Sequence, residues 1–297
     1  KYFLRSTGHL YETPFDGRGE TKRLSNLTIP GVLDAVWNRN QSRAIILFSD
    51  NNELKHFSTL YVGTSTEGVF LADNAQSVAF SPAGDKISYL IPAGTLYSLI
   101  TAAPDGKSQK SIYSTPVPDF EISWISKSLL SLKTKSSAFA PSILATLSTA
   151  GVLDLLLTNK SGLDILWSPD QHTVLYSETK MDGKDLSLFL TTLEKPLEAK
   201  TLSFKTLPEK CTWSLNDFAI LYCATPNDLG RSSLPDSWWR GDISFDDALW
   251  KINTETVETR LLLNEPGFDM IDIFASPNEN YIFFVNKKDS RLWGLGL

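Results

Sequence analysis

Short runs rich in Val, Ile, Leu, Tyr, Phe and Thr recur along the chain, separated by turns of Pro, Gly, Asn and Asp. Nowhere does the apolar pattern keep a sustained 3.6-residue period, so the pattern predicts strands and reverse turns rather than helices. Aligned on itself, the chain shows six copies of one unit: an apolar strand ending in an aromatic residue, a polar turn, and a second β-rich strand. The copies centre on Trp37, Phe80, Trp124, Trp167, Trp213 and Ala275, followed by turns such as Ser81-Pro82-Ala83-Gly84-Asp85, Ser168-Pro169-Asp170 and Ser276-Pro277-Asn278. Asp and Asn suit these turns because their side chains bond nearby backbone, while Pro presets one dihedral. The anchors fall 43, 44, 43, 46 and 62 residues apart, a regular array carrying one insertion.

A period of 40 to 45 residues with several short strands is the spacing of a propeller blade, four antiparallel strands radiating from an axis. The fold class expected is therefore all-β, one β-propeller domain over residues 1–297. Gly8-His9-Leu10-Tyr11 matches Gly94-Thr95-Leu96-Tyr97, so the chain starts inside a blade. In that register residues 1–4, 8–14 and 20–26 are the second, third and fourth strands of a blade. At the other end 268–274, 280–285 and 291–297 are a first, second and third strand. Seven blades follow, the first lacking its innermost strand; the alternative is six blades closed by pairing the two ends.

Leu10-Tyr11-Glu12-Thr13-Pro14-Phe15-Asp16-Gly17-Arg18-Gly19, Phe80-Ser81-Pro82-Ala83-Gly84-Asp85-Lys86-Ile87 and Trp167-Ser168-Pro169-Asp170 resemble the TolB-like, WD-repeat-like β-propeller repeat. The resemblance covers nearly the whole chain. It implies a propeller fold and carries little about activity, since propellers host binding modules and enzymes alike. The copies also resemble bacterial propellers outside the cytoplasm behind an N-terminal anchor. That implies an extracytoplasmic location, periplasmic or cell-surface, with a tether upstream of Lys1. The opening at Lys1, with no Met and no signal peptide, carries the expectation of an excised or mature portion of a longer chain.

Charge narrows the partners. With 28 basic and 34 acidic residues the net charge is −6, which leaves no basic surplus to neutralise phosphates, so no nucleic-acid partner is expected. The longest apolar stretch, Ser142 to Leu157, is broken by Ser, Thr, Gly and Asp154, so no membrane span is expected.

No catalytic constellation emerges. His9, His56 and His172 fall in different repeats at unrelated positions, so no metal or other cofactor is expected. A Gly-x-Ser-x-Gly elbow and Gly-rich phosphate cradles are missing. The repeated aromatics are expected to fill the space between blades. Cys211 and Cys223 flank one turn on facing strands; a disulfide there is geometrically demanding, and two buried thiols are the expectation.

The insertion is the promising element. Residues 226–247 between two strands of one blade carry Trp238, Trp239, Arg240 and Asp242, residue types that anchor recognition sites. Either the two Trp fold back as a lid or they stand exposed as a binding loop. Strand order places this connection on one face with Phe139 in Ser136–Pro141, with Met181–Asp185 and with Asn51–Lys55. The Asp residues there, Asp182, Asp185, Asp228, Asp236, Asp242, Asp246 and Asp247, weakly favour a cationic partner. The functional expectation is a non-catalytic scaffold docking a protein or peptide through Trp238, Trp239, Arg240, Asp242 and Phe139. The alternative is a hydrolase or lyase with its active site at the central channel mouth. The sequence leaves the oligomeric state open.

Overall fold

The computed structural model describes residues 1–62 and 65–297. Strands pair with their sequence neighbours, antiparallel, into seven small sheets. The first holds β1 (Tyr2–Phe3), β2 (Leu10–Glu12) and β3 (Lys22–Arg23); the second, β4 (Val32–Trp37), β5 (Arg43–Asp50), β6 (Glu53–Val62) and β7 (Ser65–Phe70). The third is β8 (Gln76–Phe80), β9 (Ile87–Ala93), β10 (Leu96–Ala102) and β11 (Lys110–Thr115). The fourth is β12 (Phe120–Ser126), β13 (Leu129–Thr134), β14 (Ser142–Ser148) and β15 (Leu153–Lys160). The fifth is β16 (Ile165–Trp167), β17 (Thr173–Glu178), β18 (Ser187–Thr192) and β19 (Lys200–Thr201). The sixth is β20 (Cys211–Trp213), β21 (Ile220–Pro226), β22 (Asp247–Asn253) and β23 (Thr259–Leu263); the seventh, β24 (Met270–Ala275), β25 (Tyr281–Asn286) and β26 (Arg291–Gly296).

These are the blades of a seven-bladed β-propeller whose first blade has three strands. The first and last strands belong to separate sheets, so the six-bladed alternative falls. Two compact units divide the chain: residues 1–135 with 144–155, and 136–143 with 156–297. Among the described residues no helix is long and apolar enough to cross a membrane.

Alternation within each strand buries one set of side chains on each sheet face. In the first unit Ile45, Val78, Phe80, Ile87, Tyr89 and Ile100 form one core, and Ile29, Val32, Ile46 and Phe48 another. In the second unit Leu175, Leu188, Trp213, Leu221 and Ile252 fill the space between the fifth and sixth sheets. Met270, Ile273, Ile282 and Phe284 pack with Ile220, Tyr222 and Leu249 between the sixth and seventh. Phe80 and Trp213 of the repeated aromatics are buried, while Trp37, Trp124 and Trp167 are half-buried. Trp37 stacks on Phe3 with centroids 5.1 Å apart.

Four of the turns are held by the residue that follows the anchor. Ser81, Ser168 and Ser276 accept the backbone N–H of Lys86, Thr173 and Tyr281 on Oγ at 3.1, 3.0 and 3.1 Å, and Asn38 accepts that of Arg43 at 2.9 Å. The hydroxyl or amide closes the turn, and Asn38 does so after Trp37 without a Pro.

Cys211 and Cys223 form a disulfide rather than the two thiols expected. They face each other directly in the β20–β21 register, with Cα atoms 4.1 Å apart. That is the closer kind of antiparallel pair, within reach of a cross-strand bond.

Candidate functional site

In the second unit, the connection from the fifth sheet to the sixth ends in a 3-10 turn, Pro208–Lys210, that turns the Lys210 side chain fully inward. Its Nζ pairs with Asp247 at 2.8 Å and Asp269 at 2.7 Å and donates to the Met270 carbonyl at 3.0 Å. Buried charges persist where they are paired and hydrogen-bonded, and this cluster meets both conditions. Asp269 also accepts from Ser244 Oγ and the Phe245 N–H, each at 3.0 Å. Asp247 accepts the Met270 N–H at 2.6 Å on one oxygen, while its other oxygen lacks a partner. Burial raises the Asp247 carboxyl above the usual aspartate range, with Lys210 opposing it. For Asp269 burial pulls the same way, but the Lys210 charge and the bonds from Lys210, Trp238 and Phe245 outweigh it and hold the group below that range.

The insertion closes over this cluster. A one-turn helix, α1 (Asp236–Trp239), directs Trp238 downward, where it is 1% exposed. Its indole N–H reaches both Asp269 oxygens at 3.1 and 2.9 Å, and its ring stacks on Phe245 with centroids 5.9 Å apart. Lys210 Nζ lies 4.6 Å and Lys287 Nζ 3.9 Å from the ring centroid, and Lys287 donates to the Trp238 carbonyl. Leu186, Leu207, Leu234 and Phe245 complete the apolar seat. Trp238 is thus the lid and offers no surface to a partner, which corrects its assignment as a contact residue. Its neighbour Trp239 is 38% exposed and donates its indole N–H to Glu209.

Three connections lock together beneath the remaining candidates. Asp236 accepts from Ser137 Oγ at 3.1 Å and the Ala138 N–H at 2.6 Å, tying residues 136–141 to the insertion. Leu234 donates its N–H to the Gly183 carbonyl at 2.9 Å, tying in the Met181–Asp185 turn. Gly183 has φ +75°, and a Cβ there would come within 2.7 Å of both the Ala138 Cβ and the Leu234 nitrogen, so the close approach requires glycine. On this fixed backbone Phe139 is 57% and Met181 62% exposed. Arg240 and Asp242 form an exposed pair with bonds of 2.9 and 2.8 Å.

The acidic character expected here is largely neutralised within the chain. Asp182, Asp185, Asp242, Asp246 and Asp247 pair with Lys184, Lys180, Arg240, Lys288 and Lys210. Asp228 and Asp236 accept backbone N–H groups. Asn51–Lys55 lies in the first unit, where Asn51 and Asn52 form a hairpin turn with positive φ.

Beside these connections are two cavities that share Lys205 and Leu229 in their walls. One of about 500 Å³ is lined by Phe204, Trp250, Asn227, Asp228 and Thr259, and one of about 240 Å³ by Lys184, Asp185, Arg231 and Ser232. His9 contacts Thr28 and Arg23, His172 contacts Glu194, and burial lowers the titration of His56. No three His, Cys, Asp or Glu side chains among the described residues are grouped to hold a metal.

Sequence reasoning missed Lys210 and Asp269. A signal for the first exists: the residue three before each anchor is polar in all six copies, Asp34, Ser77, Glu121, Asp164, Lys210 and Asp272. Ser77 Oγ accepts the Ile122 N–H at 2.7 Å, and Asp164 accepts the Glu209 N–H at 3.2 Å, each in the next sheet's connection or inner strand. Lys210 is the one cation of the series, and it needs the two acids that meet it.

Neither a protein-family model nor a curated protein sequence matches this chain. Among solved structures it is similar to oligogalacturonate lyase from Vibrio parahaemolyticus, with a TM-score of 0.67 at 10% identity over 96% of this chain and 81% of that one. It is also similar to TolB from Acinetobacter baumannii, with a TM-score of 0.57 at 13% identity over 89% of this chain and 61% of TolB. The β-propeller domain of the Trilobed protease from Pyrococcus furiosus gives 0.58 at 10% identity over 89% and 79%. At these identities the likeness establishes a β-propeller fold shared with TolB, with lyases and with proteases, and leaves the activity to the chain's own residues.

Proposed function

We propose that this chain is a non-catalytic β-propeller that docks a protein or peptide on the face made by residues 136–141, 179–186 and 227–246, in an extracytoplasmic compartment of the bacterial cell envelope. The observation that carries this is the locking of three connections by Asp236 and Gly183, which leaves Phe139, Met181 and Trp239 exposed on a fixed backbone. Docking onto a pre-ordered surface avoids the entropy of ordering loops at the moment of binding. Aromatic, Met and Arg side chains are the types that carry interface energy, Met by adapting its shape.

The groups that acid–base chemistry would use support the same reading. Lys210, Asp247 and Asp269 have fully buried side chains and are engaged with one another under Trp238. The disulfide supports the location, since such bonds persist in oxidising compartments.

Affinity capture from an envelope extract tests the proposal. Wild type and a Leu197→Ser control, altered at a 93% exposed residue between β18 and β19, should recover the same partner, and Phe139→Ser/Trp239→Ala should lose it. Recovery by the double variant at wild-type yield contradicts the assignment.

A further inference from the structure

The cavity of about 500 Å³ opens on the seam between the fifth and sixth sheets, within the second unit. Residues 203–205, which lead from β19 toward the 3-10 turn, line it together with residues 225–229, which open the insertion. Phe204 and Trp250 are half-buried: each packs against the core of that seam and also lines the cavity, as does Ile252. A concave site of this size, apolar in its walls and carrying a few polar groups, has the form of a small-molecule site.

Its charged groups set it apart. Lys205 and Asp228, opposite in charge, both line this cavity, yet no ion pair joins them. The other lysines of the second unit each hold an acid, a carbonyl or, for Lys251, the Tyr222 ring. Among the described residues Lys205 bonds to none. Asp185 feels the Lys205 charge but is paired with Lys180. Asp228 accepts the Gly230 N–H on one carboxylate oxygen at 2.8 Å, and among the described residues its other oxygen has no partner. The indole N–H of Trp250 is likewise without an acceptor among them. The segment that carries Asp228 is tied down beside it: Asn227 donates its N–H to the Asp246 carbonyl at 2.9 Å and its Nδ2 to Asn264 Oδ1 at 3.2 Å. The acid is therefore in place before a ligand arrives, which spares the cost of ordering it on binding.

We propose that this cavity binds a small zwitterion with an apolar side chain, a free amino acid or a dipeptide. Its carboxylate pairs with Lys205, its ammonium with Asp228, and its side chain lies against Phe204 and Trp250. A lysine and an aspartate that share a cavity without pairing leave one cationic and one anionic position beside an apolar wall, and a zwitterion satisfies both with charge-assisted bonds. A ligand of one sign would leave one of the two facing a like charge, which selects against it. The aromatic walls favour an apolar side chain by the area they bury. The site uses none of Phe139, Met181 and Trp239, so it does not rest on the docking face described above.

Calorimetric titration of the 297-residue chain with L-leucine, L-phenylalanine and L-leucyl-L-leucine tests the proposal, with ligand-detected NMR for weaker probes. At least one should bind with a Kd below about 1 mM, and the tightest of the three decides between free amino acid and dipeptide. Acetylating the amine of that probe, or amidating its carboxylate, should each weaken binding about tenfold or more, since each removes a bond to a charged group. Lys205→Met should weaken the parent probe by a similar factor and leave the amidated one unchanged. Asp228→Asn, which keeps an oxygen for the Gly230 N–H, should weaken the parent and leave the acetylated one unchanged. Urea midpoints equal to wild type show that both variants fold, as expected for two side chains at the surface. Binding of none of the three below about 10 mM, full-strength binding of the acetylated or amidated probe, or equal weakening of every probe by either variant overturns the proposal. Phe139→Ser/Trp239→Ala should bind the probes as wild type does, which separates this site from the docking face.

Discussion

Trp238 donates its indole N–H to both carboxylate oxygens of Asp269, at 3.1 and 2.9 Å, and so converts a surface insertion into a lid over a buried ion cluster. The connection that departs most from the repeat is thereby anchored through Trp238 to Asp269 and through Asp236 to Ser137 and Ala138.

Trp238→Phe keeps the ring and removes the donor. Chemical denaturation should show a loss of about 1–3 kcal/mol, the cost of leaving a buried acceptor short of a bond. Trp238→Ala should cost about 3–5 kcal/mol, because the cavity adds to the lost bond. A Trp238→Phe variant as stable as wild type would show that the indole bond is not a clamp.

Lys210→Met should cost about 3–5 kcal/mol, since it leaves two buried acids without a cation. Adding Asp247→Asn and Asp269→Asn should recover part of that loss rather than add to it, a coupling that a mutant cycle measures. Additive losses would mean that the three groups do not act as a unit.

Acid stability should depend on Glu279. Burial tends to raise its carboxyl, but bonds from Ser214 Oγ at 2.6 Å, the Leu215 N–H at 2.6 Å, Tyr222 Oη at 3.0 Å and the Asn216 N–H at 3.1 Å hold it below the ordinary value of 4.5. A group lowered on folding contributes stability above its unfolded value, and that contribution is lost as pH falls through the folded one. Asp269 acts in the same direction, while Asp247, raised on folding, opposes it. Glu279→Gln should be less stable at pH 7 and show a shallower decline below pH 4.5 than wild type. An unchanged slope in urea midpoints across that range would refute the assignment.

Reduction of the Cys211–Cys223 bond, which spans 12 residues, should lower stability by about 3 kcal/mol, consistent with the entropy of a loop of that size. The Cys211→Ala/Cys223→Ala variant should lie near the reduced protein and be insensitive to reductant. A wild-type midpoint unaffected by reductant would show the bridge contributes nothing.

The blade plan was legible because it is local: the period and the β-rich runs recur around Trp37, Phe80, Trp124, Trp167 and Trp213, with a turn serine directly after Phe80, Trp167 and Trp213. The three-stranded first sheet followed from matching Gly8-His9-Leu10-Tyr11 to Gly94-Thr95-Leu96-Tyr97, and the three strands of the last from reading 268–274, 280–285 and 291–297 as its first, second and third. What the sequence hid was long-range chemistry. Lys210 and Asp269 are 59 residues apart and meet through the packing of adjacent sheets, so no spacing rule joins them. Trp238 and Trp239 are adjacent and chemically alike, and the one-turn helix that points one inward and leaves the other at the surface has no marker in the pattern. The cysteine pairing turned on register, which a one-residue slip would have changed.

Placing a photo-crosslinking amino acid at Phe139, Trp239 or, as control, Leu197 tests the docking claim most directly. In envelope preparations, positions 139 and 239 should capture one shared partner protein and position 197 none. A capture pattern equal at all three positions, or no product at 139 and 239 beside a partner that still co-purifies, would contradict a docking face on the locked connections.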